Sequence, residues 1–457
     1  MARWNTVAFG SWSNHNNMAS SQPHFQTDFP PGEFERRRER ICQKIGDARA
    51  VVAGGPATGA FDRFRQTNEF YYLCGVEVPH AYLMLNGKMR WTTLYLPRRD
   101  AKLERSEGAQ LNSSDPEYAC RVTGVDEVKP LERLAEDIRE ATRIFTPHAP
   151  AEGREASRDT LLHARHQIES DPWDGRPSSE QWFRQKLAAA APQAEFHDLS
   201  PVLDEMRLIK SSREIELMRR AGRLTAQAVI EAMKITQPGH FEFELGAVAD
   251  YVYLRSGARG PGYRPIIASG PNIWNAHYYR NDRLMQAGDL VLMDYAPDVN
   301  CYTSDIGRMW PVDGTYSPVQ RELYGFVVEY HKVLLKLIRP KQTVAELAKE
   351  AAVATEPIWA EWAWSKPAYR EAAKKMTDSE VAFTHPVGMA VHDVGAYKQA
   401  PLEPGLVFAL DPQLWVPDEE LYIRVEDTVV VTPDGVESLT RSAPLELDAV
   451  EQLIAGH

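Results

Sequence analysis

From Leu290 to Asp305 the chain runs as an apolar strand closed by a carboxylate, Leu290-Val-Leu-Met-Asp294, then a set of turn formers, then a second carboxylate at Asp305. Pro297, Asp298 and Asn300 let such a stretch double back as a hairpin, which points to an antiparallel sheet. In a hairpin both carboxylates can face one side at neighbouring positions. Two like charges so placed are unfavourable unless a cation lies between them. Taken alone, such a pair is more often a turn or helix-capping feature.

Three further residues able to hold metal follow it. They are His385 in Thr384-His-Pro-Val-Gly, Asp411 in Phe408-Ala-Leu-Asp411-Pro, and Glu426 in Tyr422-Ile-Arg-Val-Glu426-Asp. Four carboxylates and one imidazole make a hard-oxygen set with one nitrogen. That set suits two divalent ions such as Mn²⁺ better than a lone structural Zn²⁺. Two adjacent ions can share and activate a water for hydrolysis, so an enzyme is the leading reading. On its own, His385 reads more readily as a hydrogen-bonded core histidine. His392 stands seven residues on, and Pro386 and Gly388 between them rule out a regular helix. An irregular strand or loop can still aim both rings into one cleft, where His392 contacts substrate or stabilises charge. Arg424 and Glu426 are two apart in an alternating strand and so share a face. Arg424 can orient that carboxylate or grip a substrate carbonyl. His277 ends a Gly/Pro/Asn-rich loop, a natural place for a substrate contact.

At 457 residues the chain is long enough for two substantial domains. Residues 1–31 read as a disordered arm, with a second plausible start at Met18. Residues 32–198 form a first domain, and residues 199–457 a second. Strands are expected at Ala50-Val-Val-Ala, Phe70-Tyr-Tyr-Leu, Ala81 to Leu85, Thr92 to Leu96 and Ile144-Phe-Thr, with helices between them as in an α/β layer. The run Glu33-Phe-Glu-Arg-Arg-Arg-Glu-Arg reads as a solvated helix face, because acidic residues interleave it. His197 to Lys210 reads as a linker. Behind it come three helix starts with capping-box signatures, Ser211/Glu214, Ser317/Gln320 and Thr343/Glu346. Strand-like runs at Pro265 to Ser269, Asp289 to Tyr295, Leu406 to Leu410 and Leu421 to Thr432 mix with these helices without strict βαβ alternation, which makes the second domain α+β.

A net charge of -12 argues against nucleic-acid binding. No stretch approaches eighteen uninterrupted apolar residues, so no membrane span is expected. The four cysteines have no pairing or ligand spacing, which suits free thiols and a cytoplasmic home.

The order Asp294, Asp305, His385, Asp411, Glu426 closely resembles the pita-bread metallopeptidases: Xaa-Pro aminopeptidase (aminopeptidase P), prolidase and methionine aminopeptidase. The flanking motifs match as well, among them Gly288-Asp-Leu-Val-Leu-Met-Asp294, Tyr302-Thr-Ser-Asp305-Ile-Gly-Arg308, Val391-His-Asp-Val-Gly395 and Ile423-Arg-Val-Glu-Asp427. The resemblance covers roughly residues 200–453. Phe64-Arg-Gln-Thr-Asn-Glu-Phe-Tyr-Tyr-Leu-Cys-Gly75 is similar to a segment of the creatinase-like first domain of aminopeptidase P, which makes that the best match. The resemblance implies a pita-bread catalytic domain behind a smaller creatinase-like domain, and a homo-oligomer (dimer or tetramer). It implies two divalent ions, Mn²⁺ first and Zn²⁺, Co²⁺ or Fe²⁺ as alternatives, held by the five ligands and bridged by Asp305 and Glu426. His277 and His392 would then contact substrate and stabilise the intermediate, Arg424 would support the last ligand, Asp411 would also take the water's proton, and proline-containing peptides would be cut before proline. Prolidase activity, another hydrolase or lyase chemistry on the same fold, and a non-catalytic binding module are the alternatives. Two positions depart from the family pattern: Asp411-Pro-Gln stands where Glu-Pro-Gly is usual, and Val381 where a histidine is usual.

Overall fold

The computed structural model describes residues 25–456. Residues 1–24 of the expected arm lie outside that range. Its last few residues are packed: Phe29 is buried against Phe34 and Tyr302, and Asp28 accepts a hydrogen bond from Asn300.

The first half is built on a six-stranded mixed sheet of β1 (Arg49–Ala53), β2 (Tyr82–Asn86), β3 (Trp91–Leu96), β4 (Glu127–Pro130), β5 (Arg143–Thr146) and β6 (Glu195–Asp198), in the order β4-β3-β2-β1-β5-β6. β2 pairs antiparallel with both β1 and β3, while β4, β5 and β6 join in parallel after helical crossovers.

Three expectations change here. Phe70 to Leu73 lies in the helix Asn68–Cys74, not in a strand. All seven residues of that helix are buried, so it carries no amphipathic period to distinguish it from a buried strand. The arginine run is only partly solvated. In the helix Pro31–Ile45, Arg36 and Arg40 face water, but Arg37 and Arg38 turn inward. Arg37 donates to the Tyr72 carbonyl and pairs with Glu33 and Glu214, and Arg38 donates to the carbonyls of Leu73 and Gly124. Finally, His197 to Lys210 is no linker. It finishes β6 and forms the helix Ser200–Leu208, which buries Leu203, Met206 and Arg207.

The second half carries β7 (Ile266–Ser269), β8 (Leu290–Asp294), β9 (Ile306–Pro311), β10 (Phe383–Pro386), β11 (Val407–Leu410), β12 (Gln413–Val416), β13 (Leu421–Arg424), β14 (Glu426–Thr432) and β15 (Gly435–Ser438). The main sheet runs β10-β11-β14-β9-β8-β7, with β15 added to β14, and every pairing is antiparallel. β12 and β13 form a separate hairpin. Against this sheet pack the long helices Ser212–Ile235 and Pro318–Leu337, and Val344–Glu361 packs on Pro318–Leu337. All three capping boxes are formed, for example Ser211 N–H to Glu214 at 2.8 Å. One hydrophobic cluster runs through both halves, from Phe34 and Leu73 through Leu203 and Met218 to Val429.

The two halves also share a buried ionic cluster. Arg207, 1% exposed, reaches Glu152 at 3.0 Å and Asp393 at 2.5 Å. Lys210 takes the other Asp393 oxygen at 3.2 Å, and Arg158 pairs with Glu69 and Asp204. One member of this cluster, Asp393, is the chain neighbour of His392.

Candidate metal centre and active site

The hairpin between Asp294 and Asp305 sets the site. Asp294 ends β8, and Asp305 immediately precedes β9. Between them Asn300 and Cys301 adopt positive φ (53° and 71°) inside a Val299–Tyr302 bridge, the two-residue turn that suits a twisted hairpin. Asp298 holds this turn by accepting from Cys301 N–H at 2.8 Å.

Both carboxylates are buried and lie on one hydroxyl. Tyr263 Oη is 2.6 Å from Asp294 Oδ1 and 2.9 Å from Asp305 Oδ1. A phenol has a single proton, so it serves one carboxylate at a time. Burial, and then the neighbouring Asp305 charge, push Asp294 up to about 7; burial also raises Asp305. With no further cation, the pair would have to hold a proton.

His385 lies on β10, with Nδ1 3.2 Å from the Pro386 carbonyl and Nε2 3.6 Å from Asp305 Oδ2. A carbonyl only accepts, so Nδ1 carries the proton and Nε2 presents its lone pair. Burial, and then His392, push His385 down to about 3, so the ring is neutral. A lone pair facing a carboxylate oxygen is repulsive unless a cation lies between them. Donor atoms of Asp305, His385 and Glu426 lie within 4.8 Å of one another, and Glu426 Oε1 is buried with no hydrogen bond.

Arg424 sits among the carboxylates. It contacts Asp294 Oδ2 through Nη1 at 3.1 Å and Asp411 Oδ1 through Nε at 3.2 Å, and it pairs with Glu426 through Nη2. The expected single strand Leu421–Thr432 is broken at Val425, so Arg424 ends β13 while Glu426 opens β14. The two side chains nevertheless meet. Gly307, opposite Glu426, makes the approach possible: a Cβ there would lie 2.9 Å from Arg424 Nε and 3.0 Å from Glu426 Cβ. Asp411 follows β11, and burial raises its pKa against the pull of Arg424.

Four buried carboxylates thus face one buried guanidinium and a neutral imidazole with an outward lone pair. This donor set fits divalent cations, with oxygen dominant and one nitrogen.

His392 stands beside this cluster, its ring centroid 4.0 Å from that of His385 and 6.0 Å from that of His277. Its Nδ1 is 2.6 Å from Asp159 Oδ2, at the start of the helix Arg158–Ser170 in the first half. Burial pulls His392 down, but the hydrogen bond and charge of Asp159 more than offset this, and its pKa is raised. His277 lies at the rim beside Tyr279, where partial desolvation lowers its pKa. Val381 is 37% exposed, at the edge of β10. Sequence reasoning missed Tyr263 and Asp159, and met Gln413, which donates to Asp411 Oδ2, only as a departure from the family pattern. Gln413 alone had a visible signal, two residues from a proposed ligand.

Residues 216–433 match the model for metallopeptidase family M24, and residues 34–148 match that for the aminopeptidase P N-terminal domain. The Xaa-Pro aminopeptidase of Escherichia coli is 30% identical over 93% of this chain and 98% of its own. The chain belongs to metallopeptidase family M24. Xaa-Pro aminopeptidase 3 of Mus musculus is 31% identical over 85% of this chain and 76% of its own. Among solved structures, E. coli aminopeptidase P with the inhibitor Pro-Leu superimposes with a TM-score of 0.76 at 29% identity, covering 94% of this chain and 99% of that one. Pseudomonas aeruginosa aminopeptidase PepP gives 0.75 at 26% identity, covering 94% and 98%. The two-domain architecture is therefore that of aminopeptidase P, and this M24 member is a metallo-exopeptidase that uses divalent metal.

Proposed function

We propose that the chain is an Xaa-Pro aminopeptidase that releases the N-terminal residue from peptides with proline in second position. The observation that carries this reading is the convergence of Asp305, His385 and Glu426, with Asp294 and Asp411 joined to them through Arg424. In this reading the five ligand side chains hold two divalent ions, Mn²⁺ by preference because oxygen donors dominate. Bound there, such ions would supply Lewis-acid chemistry for the scissile carbonyl and would lower the pKa of a water.

The chain's own groups do the rest. Asp411 accepts the proton of the attacking water. His392, oriented by Asp159, and His277 donate toward the oxyanion that forms at the attacked carbonyl. Arg424 holds Asp294, Asp411 and Glu426 in register. The first half supplies Asp159 and walls one side of the cleft, which favours peptide ends over internal bonds. Four free cysteines suit a cytoplasmic home, and among the described residues no helix is long and apolar enough to cross a membrane. A homo-oligomer belongs to the same reading, supported by the exposed apolar side chains of Phe241, Phe243 and Leu254.

The test is a panel of Xaa-Pro-Yaa tripeptides and Xaa-Pro dipeptides, run beside metal analysis of protein purified without added metal. Release of the free N-terminal residue from tripeptides, abolished by chelator and restored by Mn²⁺, is expected. Cleavage of dipeptides alone would make the enzyme a prolidase, and efficient internal cleavage of proteins would refute both.

A further inference from the structure

Asp411 stands two residues before the start of β12, and Asp411, Gln413 and Trp415 have the i, i+2, i+4 spacing that places side chains on one face of an extended chain. Gln413 Nε2 donates to Asp411 Oδ2, and Gln413 Oε1 accepts from Trp415 Nε1 at 3.3 Å. Only one orientation of the amide serves both neighbours, because an ionised carboxylate only accepts and an indole only donates. Trp415 is itself fixed: it stacks on its cross-strand partner Tyr422 with centroids 3.9 Å apart, and lies edge-on to Trp274 at 5.2 Å. On the other side of the carboxylate, Asp411 Oδ1 faces Arg424 Nε at 3.2 Å and makes no hydrogen bond. Arg424 is the cross-strand partner of Gln413, so the two residues flank Asp411 from one rung of the β12–β13 hairpin.

We propose that Gln413 is a positioning residue for Asp411. It ties up Oδ2, so that Asp411 presents Oδ1 alone to a divalent ion, and it fills the room a longer carboxylate would need. Anchored by Trp415, the amide sets both the rotamer and the reach of the ligand. A partner hydrogen-bonded to a ligating carboxylate commonly governs metal affinity and turnover by about 10–100-fold. The proposal rests on the metal-site reading given above.

The experiment is a double-mutant cycle on the full chain with Q413A, D411E and D411E/Q413A. Mn²⁺ binding to the metal-stripped protein is followed by calorimetry, and kcat and KM are measured on an Xaa-Pro-Yaa tripeptide. Q413A is expected to weaken one of the two Mn²⁺ sites and to lower kcat, each by about 10–100-fold, with KM little changed. D411E alone loses activity because two long side chains compete for one space. D411E/Q413A recovers toward the native protein, since removing the amide makes room for the added methylene. Native Mn²⁺ affinity in Q413A, a rise in turnover for D411E with Gln413 in place, or a double mutant whose loss is the product of the single losses would each overturn the proposal. The Mn²⁺ titration needs no substrate. A native protein that binds two ions but leaves Xaa-Pro peptides intact would therefore refute the function and leave this inference to be judged by the titration.

Discussion

Replacing Asp159 by alanine tests whether the first half of the chain is part of the active site. Asp159 sits 2.6 Å from His392 Nδ1, and His392 in turn lies against His385. A hydrogen bond to a charged group contributes about 1.5–3 kcal/mol. The Asp159 side chain is 55% exposed, so water screens the pair and the lower end of that range applies. About 1.5 kcal/mol of lost transition-state stabilisation is roughly tenfold in kcat. D159A is therefore expected to lower kcat on an Xaa-Pro-Yaa peptide about tenfold, with metal content unchanged. D159N, which keeps a polar partner but loses the charge, should fall between.

The pH dependence of the pair has a fixed sign. The folded-state pKa of His392 is raised above its ordinary 6.5. The pair's contribution to stability is thus complete below the ordinary value and disappears as pH rises through the raised one. An imidazolium that stabilises negative charge loses activity over the same interval, so D159N should move the alkaline limb of the kcat profile to lower pH. Steady-state kinetics between pH 5 and 9, with metal analysis of each variant, make the measurement. Unchanged kcat in D159A, or a loss that tracks loss of metal, would refute the reasoning.

D305A should bind fewer than two divalent ions and lose activity, because Asp305 faces His385 Nε2 and shares the Tyr263 hydroxyl with Asp294; elemental analysis and peptide hydrolysis report this. R207A leaves the buried carboxylates of Glu152 and Asp393 short of a cation, and denaturant unfolding should show a loss of about 3–5 kcal/mol. G307A drives a methyl group against Arg424 and Glu426, for a stability loss of about 1–3 kcal/mol and a fall in turnover that exceeds any change in KM.

What could be read from the sequence, and what could not, divides by the range of the interaction that decides it. The Asp294–Asp305 hairpin is legible because strand register and turn chemistry are local: Asp298 and Asn300 close the turn, and the flanking apolar residues set which face each carboxylate takes. The capping boxes at Ser211, Ser317 and Thr343 are legible for the same reason, since each donor and acceptor lie three residues apart. The helix Asn68–Cys74 fails this way of reading because burial on every side erases the period that distinguishes helix from strand. Arg37 and Arg38 fail it because their partners, the carbonyls of Tyr72, Leu73 and Gly124, belong to distant helix ends that no charge pattern announces. Asp159 is the extreme case: 233 residues separate it from His392, and only the docking of the two halves brings them together. That docking runs from Arg158, next to Asp159, to Asp204, and from Glu152 to Arg207, which also holds Asp393, next to His392. The residues that fasten the halves are thus the chain neighbours of the residues that meet across the cleft. A shift of one half against the other must therefore also change where the His392 ring points.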